Sequence, residues 1–332
     1  MSEIREVAEN VYLIDAEQDF IPNLTAAYFV NEDRKALIDA GPPNSATHIL
    51  QGIKRLGVDP KEVSYIVVTH IHLDHAGGAG ILVKEMPYAK VLVHPKGAKH
   101  LIDPSKLMAG NIQVMGQEVL VRYGSMVPIE PERVEAVDDS AVIELSSQQT
   151  LKVVNTPGHA NHHVCIYEER NKGLFTGDAI GMYFAEAEFL FPETLPHDFD
   201  LRLALESIEK ARQLPLEILY FAHFGTSRTP DKMLQMARDS LKFWSDLVYQ
   251  ARNDDPMSIC EKVKEIIFAL RPDGPEVVQQ DRALYAIEKL LPVGVAGYLD
   301  YFRRVSEGKA SQASQGNQLL SDPSHFLGGD RT

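Results

Sequence analysis

The chain has 332 residues, 44% of them apolar, with 47 acidic against 33 basic side chains and a formal net charge of −14. That length allows two domains, or one large one, around a substantial buried core. The acidic balance disfavours polyphosphate partners, and with no run of about 20 apolar residues a membrane-spanning helix is not expected.

Taken in order, the N-terminus lacks a basic start followed by an apolar run, so a reducing cytoplasm rather than secretion is expected. Val11-Tyr12-Leu13-Ile14, Ala26-Ala27-Tyr28-Phe29-Val30 and Ala36-Leu37-Ile38-Asp39 read as strands, the last two joined by the turn chemistry of 31–34. Gly41-Pro42-Pro43-Asn44 breaks the chain, and a helix is expected over 45–56, with Ile49, Ile53 and Leu56 at helical spacing. Val63-Ser64-Tyr65-Ile66-Val67-Val68 reads as a buried strand. Thr69-His70-Ile71-His72-Leu73-Asp74-His75-Ala76-Gly77-Gly78 follows it on a strand-to-helix turn. Three imidazoles and a carboxylate within six residues are suitable N and O ligands for zinc and similar ions. In an extended turn His70 and His72 project the same way and can share one ion, while Asp74 and His75 can face a second.

Val91-Leu92-Val93-His94 is the next strand, stopped by Pro95; His94 reads as a group hydrogen-bonded at a strand end or one on the substrate side. Residues 100–135 are weakly patterned. Their methionines, Met108, Met115 and Met126, suit either a lid over an active site or plain core packing. Strands are expected over 150–155, 163–168, 172–176 and 216–221. The doubled strand pattern suggests two sheets packed face to face. Asp200 is the expected N-cap of a helix ending before Pro215. Beyond it, Thr229 and Pro230 open a long helix with Met233, Met236, Ala237, Leu241, Trp244 and Val248 on one face. Further helices are expected over 256–270, 275–291 and 292–305, and a loose tail from Gly308. Cys165 and Cys260 read as buried structural thiols.

His70-x-His72-x-Asp74-His75 resembles the signature of the metallo-β-lactamase-fold hydrolases. Thr156-Pro157-Gly158-His159 resembles that superfamily's third-histidine motif, and Phe175-Thr176-Gly177-Asp178 its bridging-aspartate motif. Tyr220-Phe221-Ala222-His223-Phe224-Gly225 resembles its last-histidine motif, with Ala222 where glycine is common. Leu37-Ile38-Asp39-Ala40-Gly41 resembles its early strand ending in a supporting aspartate. The likeness covers residues 5–228. It implies an α/β fold, the αβ/βα four-layer sandwich, over 1–228; the helix and tail patterns described above make 229–307 a helical C-terminal extension and 308–332 a flexible tail.

The resemblance also implies a dinuclear centre. His70, His72 and His159 would hold one ion, Asp74, His75 and His223 the other, and Asp178 would bridge them. A hydroxide bridging the ions would attack the substrate, oriented by Asp74, and Asp39 would accept from a ligand imidazole N–H. Zinc is the first expectation for both ions, with iron or manganese as alternatives. Tyr183, five residues past Asp178, is a candidate substrate-side group, because some lactonase relatives place a tyrosine soon after this aspartate; the other reading is core or pocket wall. His162 and His163 are read as supporting or surface groups, and His48, His100, His197 and His325 as solvent-exposed. Within the superfamily the chain most resembles the glyoxalase II-like and lactonase-like branch, which implies cleavage of a thioester, ester or lactone in a small-molecule substrate. That family's cationic glutathione-binding residues have no counterpart in 230–306. The alternatives are a phosphodiesterase or RNA-processing nuclease, and a non-catalytic metal-bound scaffold. No nucleic-acid or membrane partner is expected, and a homo-oligomer is left open.

Overall fold

Seven strands of a first sheet follow one another in chain order: β1 (Ile4–Ala8), β2 (Val11–Asp15), β3 (Ala26–Val30), β4 (Lys35–Ile38), β5 (Val63–Val67), β6 (Lys90–Val93) and β7 (Val134–Ala136). β1 to β4 pair antiparallel, and β4 to β7 pair parallel. Parallel neighbours need crossovers. These are helix α1 (Ala46–Arg55), then α2 (Leu73–Ala76) and α3 (Ala79–Glu85), then α4 (Pro95–Ile102), α5 (Ser105–Met115) and α6 (Glu118–Arg122). The second sheet contains β8 (Val142–Ser146), β9 (Gln149–Asn155), β10 (Val164–Glu168) and β11 (Gly173–Phe175). A separate ribbon of β12 (Met182–Phe184) and β13 (Phe189–Phe191) comes next in the chain, and β14 (Ile218–Tyr220) and β15 (Thr226–Ser227) complete the second sheet. The computed structural model describes residues 4–185, 189–269 and 286–310.

The chain divides into two compact units. The first comprises Met1–Asn155, His162–Gly177 and Leu216–Arg228, and holds both sheets. Its first sheet is buried on both faces, which is why its central strands read as unbroken apolar runs. In β3 the period of two sends Ala26, Tyr28 and Val30 toward the second sheet, where they meet Leu151, Val153, Ile166 and Phe175. Ala27 and Phe29 face the other way, into a core with Ile49 and Ile53 of α1 and Leu82 of α3. Part of the insert over 100–135 joins that second core. Leu101, Val119, Tyr123, Met126 and Ile129 are buried with Ile71 and Leu73 of the histidine-rich turn, Met108 packs on them half-buried, and Met115 is exposed.

The second unit comprises Thr156–Asn161, Asp178–Pro215 and Thr229–Thr332. The 229–307 segment falls wholly within it. Helix α7 (Leu201–Arg212) starts where expected: Asp200 accepts from Leu203 N at 3.0 Å. Helix α8 (Pro230–Gln250) has Pro230 in its first turn, and Thr229 precedes it without a side-chain cap; the six apolar positions of its expected face are all buried. Helices α9 (Pro256–Ala269) and α10 (Leu291–Ser306) match two of the later expectations. Of the helix expected over 275–291, the described part is a π-helical turn, Ala286–Leu290, and the start of α10; the rest, like His325 and the tail from 311, lies outside the described residues. Among the described residues, no helix is long and apolar enough to cross a membrane.

Six strands escaped the sequence pattern. β1, β7 and β15 are short or half-exposed, so no apolar run marks them. β8 does alternate, with Ile143 and Leu145 buried between exposed neighbours, a period-2 signal. β12 and β13 are three residues each.

Tyr28 ties the first sheet to the turn after β14. Its hydroxyl lies 2.8 Å from Phe221 O and 2.7 Å from Gly225 O, and burial pushes the phenol's pKa well up, so it stays a donor. Tyr28→Phe keeps the ring and removes the tie. The expected cost is about 1–2 kcal/mol in a urea titration; an unchanged midpoint would show that the tie contributes nothing.

Candidate metal centre

The histidine-rich turn begins where β5 leaves the sheet. His72 is still extended (φ −61°, ψ 156°), and α2 starts at the next residue. His70 and His75 are buried, whereas His72 and Asp74, two residues apart, are half-exposed. Solvent therefore reaches the turn from the His72 and Asp74 side. The His70 ring centroid lies 4.5 Å from that of His72 and 4.0 Å from that of His75.

Asp39 stands behind this turn. It follows β4 with φ +58°, a left-handed conformation that costs a non-glycine residue about 1 kcal/mol or more. That kink points its buried carboxylate at the turn. It accepts from Thr69 N (2.7 Å), from the Thr69 hydroxyl (3.0 Å) and from His75 Nδ1 (2.9 Å). An acceptor-only carboxylate requires the proton of His75 to sit on Nδ1, so Nε2 carries the lone pair. The Thr69 hydroxyl has one proton, committed to Asp39. Toward His70 Nδ1, 3.1 Å away, it can only accept, and His70 is likewise protonated on Nδ1. One carboxylate sets the tautomer of two imidazoles.

His223 sits in the turn after β14 that Tyr28 holds. Phe224 and Gly225 have φ of +100° and +95°, and Ala26 N donates to Ala222 O at 2.8 Å. His223 Nδ1 lies 3.2 Å from both Leu24 O and Thr25 Oγ1. The carbonyl only accepts, and the Thr25 proton is given to Gln18 Oε1. His223 therefore also carries its proton on Nδ1. Its Nε2 lies 3.7 Å from Asp74 Oδ2, and His75 Nε2 lies 3.8 Å from Asp74 Oδ1. Asp74, His75 and His223 form a group that could hold an ion.

In the second unit the loop after β9 presents His159. Gly158 has φ +148°, and a Cβ there would lie 2.4 Å from the Ala204 backbone, so only glycine lets the loop lie against α7. Ser207 donates to Pro157 O at 2.6 Å, and Asp200 N to Gly158 O at 2.8 Å. His159 Nδ1 is 2.8 Å from Glu193 O, a fourth acceptor that puts the proton on Nδ1. Its Nε2 then faces Asp178 Oδ2 at 3.3 Å. Two bonds of about 2.0–2.1 Å at a tetrahedral angle place ligand atoms about 3.3 Å apart. The pair is spaced as two ligands of one ion, and the longer 3.7 and 3.8 Å separations about Asp74 exceed hydrogen-bond length but leave room for an ion. Within each of the two groups a nitrogen lone pair and a carboxylate oxygen face one another, and the residues fit a divalent metal.

The remaining candidates are placed as follows. His163 is buried, its ring 5.1 Å from that of His70, and a Cβ on Gly177 would meet its Nε2 at 2.4 Å; it packs beneath the turn that leads to Asp178. His162 is buried with its ring 5.6 Å from that of His72. His94 caps α4, accepting from Lys96 N at 3.2 Å, and burial together with Lys96 lowers its pKa. His48 pairs with Glu17 at 3.2 Å. His197 is exposed, while His100 is half-exposed. Tyr183 is buried in β12, opposite Leu190. Sequence reasoning missed Thr69, Thr25, Leu24 and Glu193, which hold the imidazoles. Two of them act through backbone carbonyls, which no residue type announces.

The metallo-β-lactamase superfamily profile matches residues 21–223. The chain belongs to this superfamily. Its members are metal-dependent hydrolases, and the protein is a hydrolase of that kind, with the fold, including its α/β sandwich and helical C-terminal region. The chain is 30% identical to the metallo-β-lactamase fold-containing protein ST1585 of Sulfurisphaera tokodaii over 208 residues, 61% of this chain and 74% of that one. The crystal structure of ST1585 superposes with a TM-score of 0.64 at 25% identity, covering 87% of this chain and 98% of the other. The metallo-β-lactamase family protein TTHA1429 of Thermus thermophilus also superposes at 0.64, with 17% identity over 91% and 95% of the two chains. An N-acyl homoserine lactonase of Bacillus cereus is 24% identical over 229 residues, 58% of this chain and 77% of that one.

Asp39→Asn keeps the shape of the buried acceptor and removes its charge. Metal affinity, measured by competition with a chromophoric chelator, should fall about 10–100-fold with the fold intact by circular dichroism. Wild-type affinity would remove Asp39 from any role in holding the imidazoles.

Proposed function

We propose that the protein is a dinuclear hydrolase cleaving a thioester, ester or lactone in a small molecule. In this reading His70, His72 and His159 would hold one ion, Asp74, His75 and His223 the other, and Asp178 would serve both. The observation that carries it is the shared tautomer: His70, His75, His159 and His223 all have Nδ1–H bound to a fixed acceptor and Nε2 left as the donor. Within the second unit His159 and Asp178 already stand at ligand spacing, which supports their sharing an ion.

Neutral imidazole and carboxylate suit zinc, our assignment for both ions, and also iron and manganese. When bound, such ions lower the pKa of coordinated water to about 7 and stabilise the oxyanion developing at an attacked carbonyl. The chain's own part is orientation. Asp74, with 27% of its side chain exposed, is open enough to orient the attacking water and take its proton at the oxygen turned from His75. Tyr183 is the side chain we assign to the substrate carbonyl.

Kinship with a lactonase supports an acyl substrate over a phosphodiester, and so does the net charge of −14, which opposes a polyanion. The thiols of Cys165 and Cys260 are buried and reduced, in keeping with the cytoplasmic location we assign.

Metal analysis followed by a substrate panel tests the reading. The purified protein should carry two equivalents of metal and turn over thioesters, esters or lactones faster than phosphodiesters or a β-lactam. His70→Ala should lose metal and turnover together. Full turnover with two ions in His70→Ala overturns the ligand assignment. Preference for a phosphodiester makes it a nuclease, and two ions with no turnover in any class make it a scaffold.

A further inference from the structure

Residues 192–200 run between β13 and α7 in the second unit, and they touch the His159 loop twice. Glu193 O accepts from His159 Nδ1 at 2.8 Å, and Asp200 N donates to Gly158 O at 2.8 Å. The other side of this strap is gripped by α10. Thr194 donates its hydroxyl to Gly294 O at 2.9 Å. Gly297 lies flat on the strap backbone: a Cβ there would be 2.3 Å from Thr194 O. His197 N donates to Asp300 Oδ2 at 3.0 Å, and Arg304 Nη2 donates to Phe199 O. The Phe199 ring meets Tyr298 and Tyr301 edge-on at 5.1 and 5.9 Å.

These α10 positions, 294, 297, 298, 300, 301 and 304, follow the i, i+3, i+4, i+7 spacing of one helical face. Two glycines inside a helix weaken it; close backbone approach accounts for Gly297, while a Cβ at Gly294 would lie 3.3 Å from the Thr194 hydroxyl. At Asp300 burial raises the carboxyl's pKa, but bonds from Arg303, Arg304 and His197 N outweigh it and bring it to about 2. The clamp is therefore charged at any physiological pH.

We propose that α10 is a positioning element for His159: by clamping 194–199 it fixes the Glu193 carbonyl, hence the His159 tautomer, hence the ion that His159 and Asp178 hold. The last link rests on the metal assignment above; the earlier ones do not. This gives the C-terminal helix a task other than holding substrate. Gly297 and Thr194 act through Glu193 and touch no ligand themselves. A Cβ at 297 must push Thr194 O away by about 1 Å to reach ordinary contact, enough to break a 2.8 Å bond at the adjoining residue.

The variants are Gly297→Ala, Thr194→Val, and Tyr298→Phe as a control. The last removes the bond from α10 to Leu241 O in α8 and keeps the ring against Phe199. Long-range proton–nitrogen spectra of the metal-free, histidine-labelled chain read the tautomer directly. His159 should be protonated on Nδ1 in the wild type and in Tyr298→Phe, and should become a mixture in Gly297→Ala and Thr194→Val. In zinc competition, the two strap variants should lose one equivalent's affinity about 10–100-fold, with the cobalt-substituted spectrum altered, while Tyr298→Phe lowers Tm alone. If Gly297→Ala fails to fold, Thr194→Val decides. An unchanged His159 tautomer in the folded strap variants overturns the proposal. A wild type that binds fewer than two ions defeats the dinuclear reading, and the tautomer spectra still decide the role of α10.

Discussion

A proton held on Nδ1 is the condition under which a histidine can offer Nε2 to a metal, and four imidazoles in this protein meet it. The acceptors differ. For His75 it is a buried carboxylate, for His70 a threonine hydroxyl already committed to that carboxylate, and for His159 and His223 a backbone carbonyl. What they share is rigidity, because each acceptor lies within two residues of the end of a strand. An imidazole free to rotate or change tautomer would lose part of its affinity to that freedom.

The cost of this order is visible in the backbone. Asp39, Phe224 and His197 all have positive φ, and all three lie beside groups that orient a candidate ligand. Each is fixed by surrounding bonds. Asp39 donates from its own N to Val67 O, the turn around Phe224 is tied to Tyr28, and His197 is bonded to Asp300. At these three positions the strain is offset by the packed strands and helices around it.

Much of the first sheet was legible because both its faces are buried, which makes Ala26–Val30 apolar throughout and Val63–Val67 apolar but for Ser64. The edge strands were not, since β1 and β7 keep charged, half-exposed side chains. The donors themselves were the most legible feature. Imidazoles and carboxylates are scarce, chemically marked and grouped in short motifs. The acceptors behind them were less so. Asp39 stood out as a lone carboxylate at a strand end, while Glu193 contributes through its main chain, for which its side chain gives no signal.

By itself the amino-acid order determined the superfamily, the strand-and-helix alternation and the candidate donor side chains, because residue type and local period carry that information. Tertiary structure alone decided which nitrogen of His70, His75, His159 and His223 keeps its lone pair, since the tautomer depends on acceptors as distant in sequence as Leu24 from His223. It also decided that Gly297 of the last described helix lies where only a bare backbone fits against Thr194. Local propensity would count that glycine as a helix defect, and only the packed neighbour shows why it is there.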